Sequence, residues 1–117
     1  MAITEKSWDG SAGRFSDEEW ARSCILDMGD CSAAAKQATA KERYKLPILE
    51  PNGDLNANAL GSAAGALNGA RTPLQACPAA KKSAAKKLVR AYAAAKLDAP
   101  EDIEALAGVN DSERNGG

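Results

Sequence analysis

The chain has 117 residues, a formal net charge of −1, no histidine, and only 17 residues of the Leu, Ile, Val and Phe types. That length suits one domain, the near-balanced charge excludes a general attraction to nucleic acid or anionic membrane, and the missing imidazole excludes Ser-His and Cys-His catalytic pairs. So few large apolar side chains make a thin core, marginal alone and stabilised by anything that binds the folded state.

Residues 1–15 form an N-terminal arm. Trp8 and Phe15 flank the small residues Gly10-Ser11-Ala12-Gly13, which predicts a loop or short strand pinned by two rings. MAITEKSWDG has no signal-peptide pattern and no apolar run approaches a membrane span, so neither secretory export nor membrane contact is expected.

A helical domain is expected over 16–108. Ser16 and Glu19 have capping-box spacing, and Asp17, Glu18 and Glu19 suit the positive end of a helix dipole. Capping also explains the acidic run better than a metal, because side chains adjacent at a helix start cannot converge on one ion. Trp20, Cys24 and either Ala21 or Ile25 recur at helical spacing and Gly29 supplies a stop, which predicts helix over 17–28. Residues 31–43 have high helix propensity without a large apolar face, and either a short helix or a linker fits them.

Pro47 and Pro51 disfavour helix at the residues before them, so Tyr44–Glu50 is expected to run extended and Asn52-Gly53 to turn. Leu46, Ile48 and Leu49 would then drop into a groove between helices, supplying the aliphatics those helices lack. The next helix is capped by Asn56, ends at Gly69, and carries the stripe Leu60, Ala63, Ala64, Leu67. Gly61 and Gly65, four apart, are expected to admit a close neighbour in a soluble bundle.

The longest helix has Pro78 in its first turn. Ala84, Ala85, Leu88, Ala91, Tyr92 and Ala95 share one face; Lys82, Lys86 and Arg90 follow at i, i+4, i+8 on another. A short helix after Pro100 turns Ile103 and Leu106 inward, and residues 109–117 make a flexible polar tail. The expected fold is all-α: a small bundle of three principal helices with an extended Leu-Pro strip and a polar C-terminal tail. Its core is Trp20, Leu46, Ile48, Leu49, Leu60, Leu67, Leu88 and Tyr92.

Charge is unevenly placed. Residues 1–30 carry −4, 31–78 carry +2, 79–96 carry +6 with no acidic residue, and 97–117 carry −5. The basic helix has no interleaved aromatic for base stacking, which favours protein contact over nucleic acid. The three cysteines, Cys24, Cys31 and Cys77, are odd in number and irregularly spaced, so reduced thiols are expected, with a Cys24–Cys31 bridge open in an oxidising medium. With no histidine, a four-ligand zinc site would need a carboxylate or a partner chain, and neither phosphate-binding glycine motif occurs. No catalytic, cofactor or metal residues are assigned, and the chain reads as a non-enzyme.

The order W-D-G-S-A-x-R-F-S-D-E-E-W, then K-E-R-x-K-L-P-x-x-E-P-x-G-x-L-N, then K-K-x-A-A-x-K-L-V-R-x-Y resembles a small domain of tailed-bacteriophage head-morphogenesis regions, encoded beside or joined to prohead-protease and capsid proteins. The resemblance runs from Trp8 to about Leu106 and rests on Trp8, Asp9, Gly10, Phe15, Trp20, Leu46, Pro47, Glu50, Pro51, Gly53, Leu55, Asn56, Leu88 and Tyr92. The family often has cysteine where Tyr44 stands and histidines where Ile48 and Leu49 stand, so no metal or polar role is carried to those positions. The resemblance implies a capsid-associated structural protein, located in the virion and in the host cytoplasm during assembly. Its expected partners are the major capsid protein and further copies of itself, with Lys82, Lys86, Arg90 and Trp8 as contacts. Two other readings are a nucleic-acid or host-factor binder using helix 79–96 and an accessory domain of a prohead protease.

The capping box makes a direct prediction. Ser16→Ala should cost about 0.5–2 kcal/mol and Ser16→Gly only a few tenths, read as a difference in urea midpoint. Equal midpoints would remove the cap.

Overall fold

The structure, a computed structural model, describes residues 2–69 and 75–108. The tail predicted over 109–117 lies outside them. The architecture is mixed rather than all-α: six helices stand with two two-stranded sheets among the described residues.

β1 (Ile3–Thr4) pairs in parallel with β4 (Leu55–Asn56), so part of the arm is a strand. A single 3₁₀ turn at Ala12–Arg14 leads to α1 (Asp17–Ser23). The capping box is formed: the Ser16 hydroxyl accepts from Glu19 N–H and the Glu19 carboxylate accepts from Ser16 N–H. The helix predicted over 17–28 ends at Ser23, because the chain turns into β2 (Cys24–Asp27). Cys24, Ile25 and Leu26 are buried in succession, which a strand covered on both faces achieves and a one-sided helix stripe does not. Gly29, the expected helix stop, sits instead in a 3₁₀ turn (Met28–Asp30) whose geometry is held by Asp27 accepting from the glycine N–H at 2.8 Å.

Two one-turn helices follow, α2 (Ala33–Lys36) and α3 (Ala40–Arg43), neither with a buried residue. β3 (Tyr44–Pro47) then pairs antiparallel with β2 in the register Cys24↔Pro47, Leu26↔Lys45, Asp27↔Tyr44. The strip is therefore extended, but it lies in a sheet and not in a groove between helices. Ile48 is buried, while Leu46 and Leu49 are only partly so. The backbone beyond Pro47 is spoken for: Ile48 N–H donates to Ser23 O, Asn56 N–H to Ile48 O, and Gly53 N–H closes the turn on Glu50 O.

α4 (Ala57–Leu67) starts at the Asn56 cap, whose carbonyl oxygen accepts from Asn58 and Ala59 N–H. Gly61 and Gly65 fall off its buried stripe, and a Cβ at either would meet nothing within 4 Å. Among the described residues the close neighbour expected there is absent, because Ala59, Leu60, Ala63, Ala64 and Leu67 turn the other side inward. α5 (Pro78–Ala94) packs on α4, β2 and α6 (Glu101–Ala107) through Ala80, Ala84, Ala85, Leu88 and Tyr92. It ends in a Schellman motif, with Lys96 at φ +60° and Leu97 N–H donating to Tyr92 O. The main cluster joins all these elements; Phe15, Trp20 and Cys24 make a second, smaller one with the two rings edge to face.

Leu46 is held at φ +64°, a left-handed conformation that costs an L side chain roughly 1–2 kcal/mol. Glycine escapes that cost. Leu46→Gly should therefore be more stable than Leu46→Ala by about 1 kcal/mol, the reverse of the usual order in a strand. An alanine variant melting at or above the glycine variant would show that the position carries no strain.

Candidate functional site

Residues from the arm and from the strip meet at one carboxylate. Glu50, buried, accepts from Arg14 Nη2 at 2.6 Å and from Asn56 Nδ2 at 2.7 Å. Arg14 also donates to the Asp9 carbonyl, and the Asn56 amide to the Lys6 carbonyl at 3.2 Å. Asn58 Nδ2 donates to the carbonyls of Glu5 and Lys6. The Arg14 hydrogen bond, supported by Asn56, holds the Glu50 carboxyl below its ordinary value of 4.5. Both Glu50 oxygens carry donors, so the group is a fastener and not a free base.

A second fastener closes the β2–β3 ladder. Asp27 takes both Nε and Nη2 of Arg43, at 2.8 and 3.0 Å, and the same guanidinium lies 4.9 Å from the Tyr44 ring centroid. Arg43 holds the Asp27 carboxyl below its usual range. At the start of β3, Trp20 Nε1 donates to Tyr44 O at 2.8 Å.

The remaining chemistry is a charged face. Lys82, Lys86 and Arg90 are exposed along α5, opposite its buried alanines, and none is in an ion pair among the described residues. Lys87 is exposed beside them. Lys82 also leans on the end of α6: a Cβ at Gly108 would come within 3.2 Å of its Cε. A cation there suits the negative end of the α6 dipole. Trp8, the fourth expected contact, is partly buried and packs against both clusters, with Gly10 running 3.0 Å from its Nε1 at the nearest Cβ position. Of the expected core, Trp20, Ile48, Leu60, Leu67, Leu88 and Tyr92 are buried.

The cysteines depart from expectation. Cys31 and Cys77 form a disulfide with Cα atoms 5.6 Å apart, and Cys24 is the free, buried thiol. A Cys24–Cys31 bridge is ruled out by the strand at 24–27, which buries Cys24 beside Phe15 and Trp20. Burial pushes its thiol up to about 12. Among the described residues no group of three His, Cys, Asp or Glu side chains is placed to hold a metal ion, and no helix is long and apolar enough to cross a membrane.

Comparison of the chain with known protein families, characterised proteins and solved structures finds no match.

Sequence reasoning missed Arg14 as the partner of Glu50, Arg43 as the partner of Asp27, and the Cys31–Cys77 pair. Arg14 and Glu50 stand 36 residues apart, and no local pattern in the sequence joins them.

Glu50 fixes a pH dependence. Its folded pKa is depressed, so its contribution is present above the unfolded value and is lost as pH falls through the folded one. Glu50→Gln should destabilise most at neutral pH, and its deficit in urea midpoint against wild type should shrink below pH 4.5. A deficit constant from pH 7 to about pH 3 would assign the loss to packing instead.

Proposed function

We infer that the chain is a structural protein of a tailed-phage head that binds the major capsid protein through the outer face of α5. The observation that carries this reading is the row Lys82, Lys86 and Arg90: exposed, unpaired among the described residues, and set on a helix whose segment 79–96 bears +6 without one acidic residue. The resemblance described above supplies the setting, the phage head, and the virion as location. A binding role also suits a domain whose conspicuous polar residues, Arg14, Glu50, Asn56, Asp27 and Arg43, are engaged with one another. On this reading the chain is not an enzyme.

The partner surface is acidic protein. The segment that follows the basic helix carries −5, and α6 within it, with Glu101 and Asp102 in its first turn, packs on α5, so duplex DNA approaching α5 would meet that like charge. An acidic groove on a shell subunit, or an acidic segment of another copy, can be shaped to place its carboxylates on the basic row alone, which a uniformly charged duplex does not. Each such exposed contact is worth up to about 1 kcal/mol, and a lattice of identical sites adds them through multivalency.

The test uses Lys86→Glu with Arg90→Glu, which spares Lys82 and its contact with α6. The double variant should fold as wild type and lose occupancy on purified heads. Wild type should bind duplex DNA weakly, with a shallow salt dependence. Unchanged occupancy together with a steep salt slope would make the basic face a phosphate reader. Presence in proheads and absence from mature particles would favour the protease-accessory role.

A further inference from the structure

We propose that Cys31–Cys77 is a thiol-responsive lock: an exchangeable disulfide that fastens residues 28–43 to the start of α5 without being needed to fold the rest. The bond lies at the boundary of two unlike parts of the molecule. On one side is α5, whose buried residues Ala80, Ala84, Ala85, Leu88 and Tyr92 all lie beyond the cysteine and hold the helix without it. On the other side are Cys31, α2 and α3, and these two helices bury no residue at all. α2 packs mainly on the Met28–Asp30 turn and on α3. α3 is held in turn by its packing on α1 and by Arg43 on Asp27, so the covalent link is the firmest attachment of Cys31 and α2 to the body of the domain.

Three features make the pair exchangeable and single-valued. Both cysteines are only partly buried, so a small thiol can reach them. Cys77 is the N-cap of α5, a helix with no acidic residue in its first turn, and its N–H donates to Cys31 Sγ at 3.2 Å. That donor and the helix N-terminus stabilise negative charge on the Cys31 sulfur. Cys24 is sealed in β2 against Phe15 and Trp20, so it does not compete for either partner.

The exchange balances with a monothiol of the glutathione class. A thiolate attacks Cys77 Sγ, forms a mixed disulfide there and expels Cys31 as thiolate beside the Cys77 N–H. A second thiolate attacks the small-molecule sulfur of the mixed disulfide, and protons from solvent restore two protein thiols. The net change is one protein disulfide and two monothiols to one protein dithiol and one small-molecule disulfide. In a thiol-rich cytoplasm the lock is open; in an oxidising medium it closes across a sequence separation of 46 and narrows the unfolded ensemble. This proposal does not depend on the capsid reading.

The experiment compares wild type equilibrated with oxidised glutathione and with dithiothreitol. Alkylation in denaturant should find one thiol, Cys24, after oxidation and three after reduction, and peptide mapping should join Cys31 to Cys77. Both forms should unfold cooperatively with the same native tryptophan fluorescence, the oxidised one at a higher midpoint. Trypsin should cut after the exposed Lys36 roughly tenfold faster in the reduced form, because local opening no longer strains a covalent tie. Cys31→Ser should be cut fast in both media. A different pairing, three free thiols after oxidation, or equal cleavage in the two media overturns the proposal. So does loss of cooperative unfolding on reduction of wild type, which would make the bond a requirement of folding.

Discussion

Glu50 is where the chain's three least regular segments are tied together. Its carboxylate receives Arg14 from the arm and Asn56 from the head of α4, while its own N–H donates to Asp54 O and its carbonyl accepts from Gly53 N–H across the turn. Removing the acid would leave the buried Asn56 amide with the Lys6 carbonyl as its remaining acceptor and free the Arg14 guanidinium, whose side chain is 34% exposed, toward water; a buried polar group short of a partner costs about 1–3 kcal/mol. The β1–β4 pair sits next to this node and consists of two residues per strand. So short a pair does not hold itself; it persists because Asn56 and Asn58 grip the backbone of Lys6 and Glu5 just beyond it.

The thin core is arranged to match. Leu26, Leu55, Leu60, Leu88 and Ile103 are each essentially inaccessible, and they come one apiece from β2, β4, α4, α5 and α6. The space between them is filled by alanine: Ala59, Ala80, Ala84 and Ala85 have no exposed surface. Alanine contributes little transfer energy per residue but lets elements approach closely, so each large side chain touches several neighbours. The two carboxylate–guanidinium ties then hold the irregular half of the molecule, where aliphatic side chains are scarce.

The elements that were legible in the sequence are those with local chemistry. The Ser16 box, the Asn56 cap, Pro78 at the start of α5 and the Asn52-Gly53 turn act within three or four residues, and all are present. The sheets were not legible because strand formation at Cys24–Asp27 is a long-range choice. Trp20, Cys24 and Ile25 satisfy helical spacing as well as they satisfy a buried strand, and the partner that decides lies some twenty residues on at Tyr44–Pro47. The same reason hid the disulfide. Spacing alone joins neighbours such as Cys24 and Cys31, whereas the pair that formed spans 46 residues and depends on α5 returning over β2. Of the charged face, the row on α5 was legible from periodicity, but its lean onto the end of α6 required the fold.

α5 divides its work by face. Its inner side is committed to β2, α4 and α6 through small residues that tolerate no enlargement. The outer side is lysine and arginine interspersed with exposed alanines, and its side chains reach water whatever partner they meet. Changes in the outer charges therefore leave the packing untouched, since exposed substitutions rarely move stability by more than about 0.5 kcal/mol. The lock acts at neither face but at the helix's N-cap, where Cys77 joins the segment whose two short helices bury no residue. Core, charged surface and covalent tie thus meet on one helix without sharing a side chain, so a change in thiol conditions loosens residues 28–43 while the basic row keeps its spacing on α5.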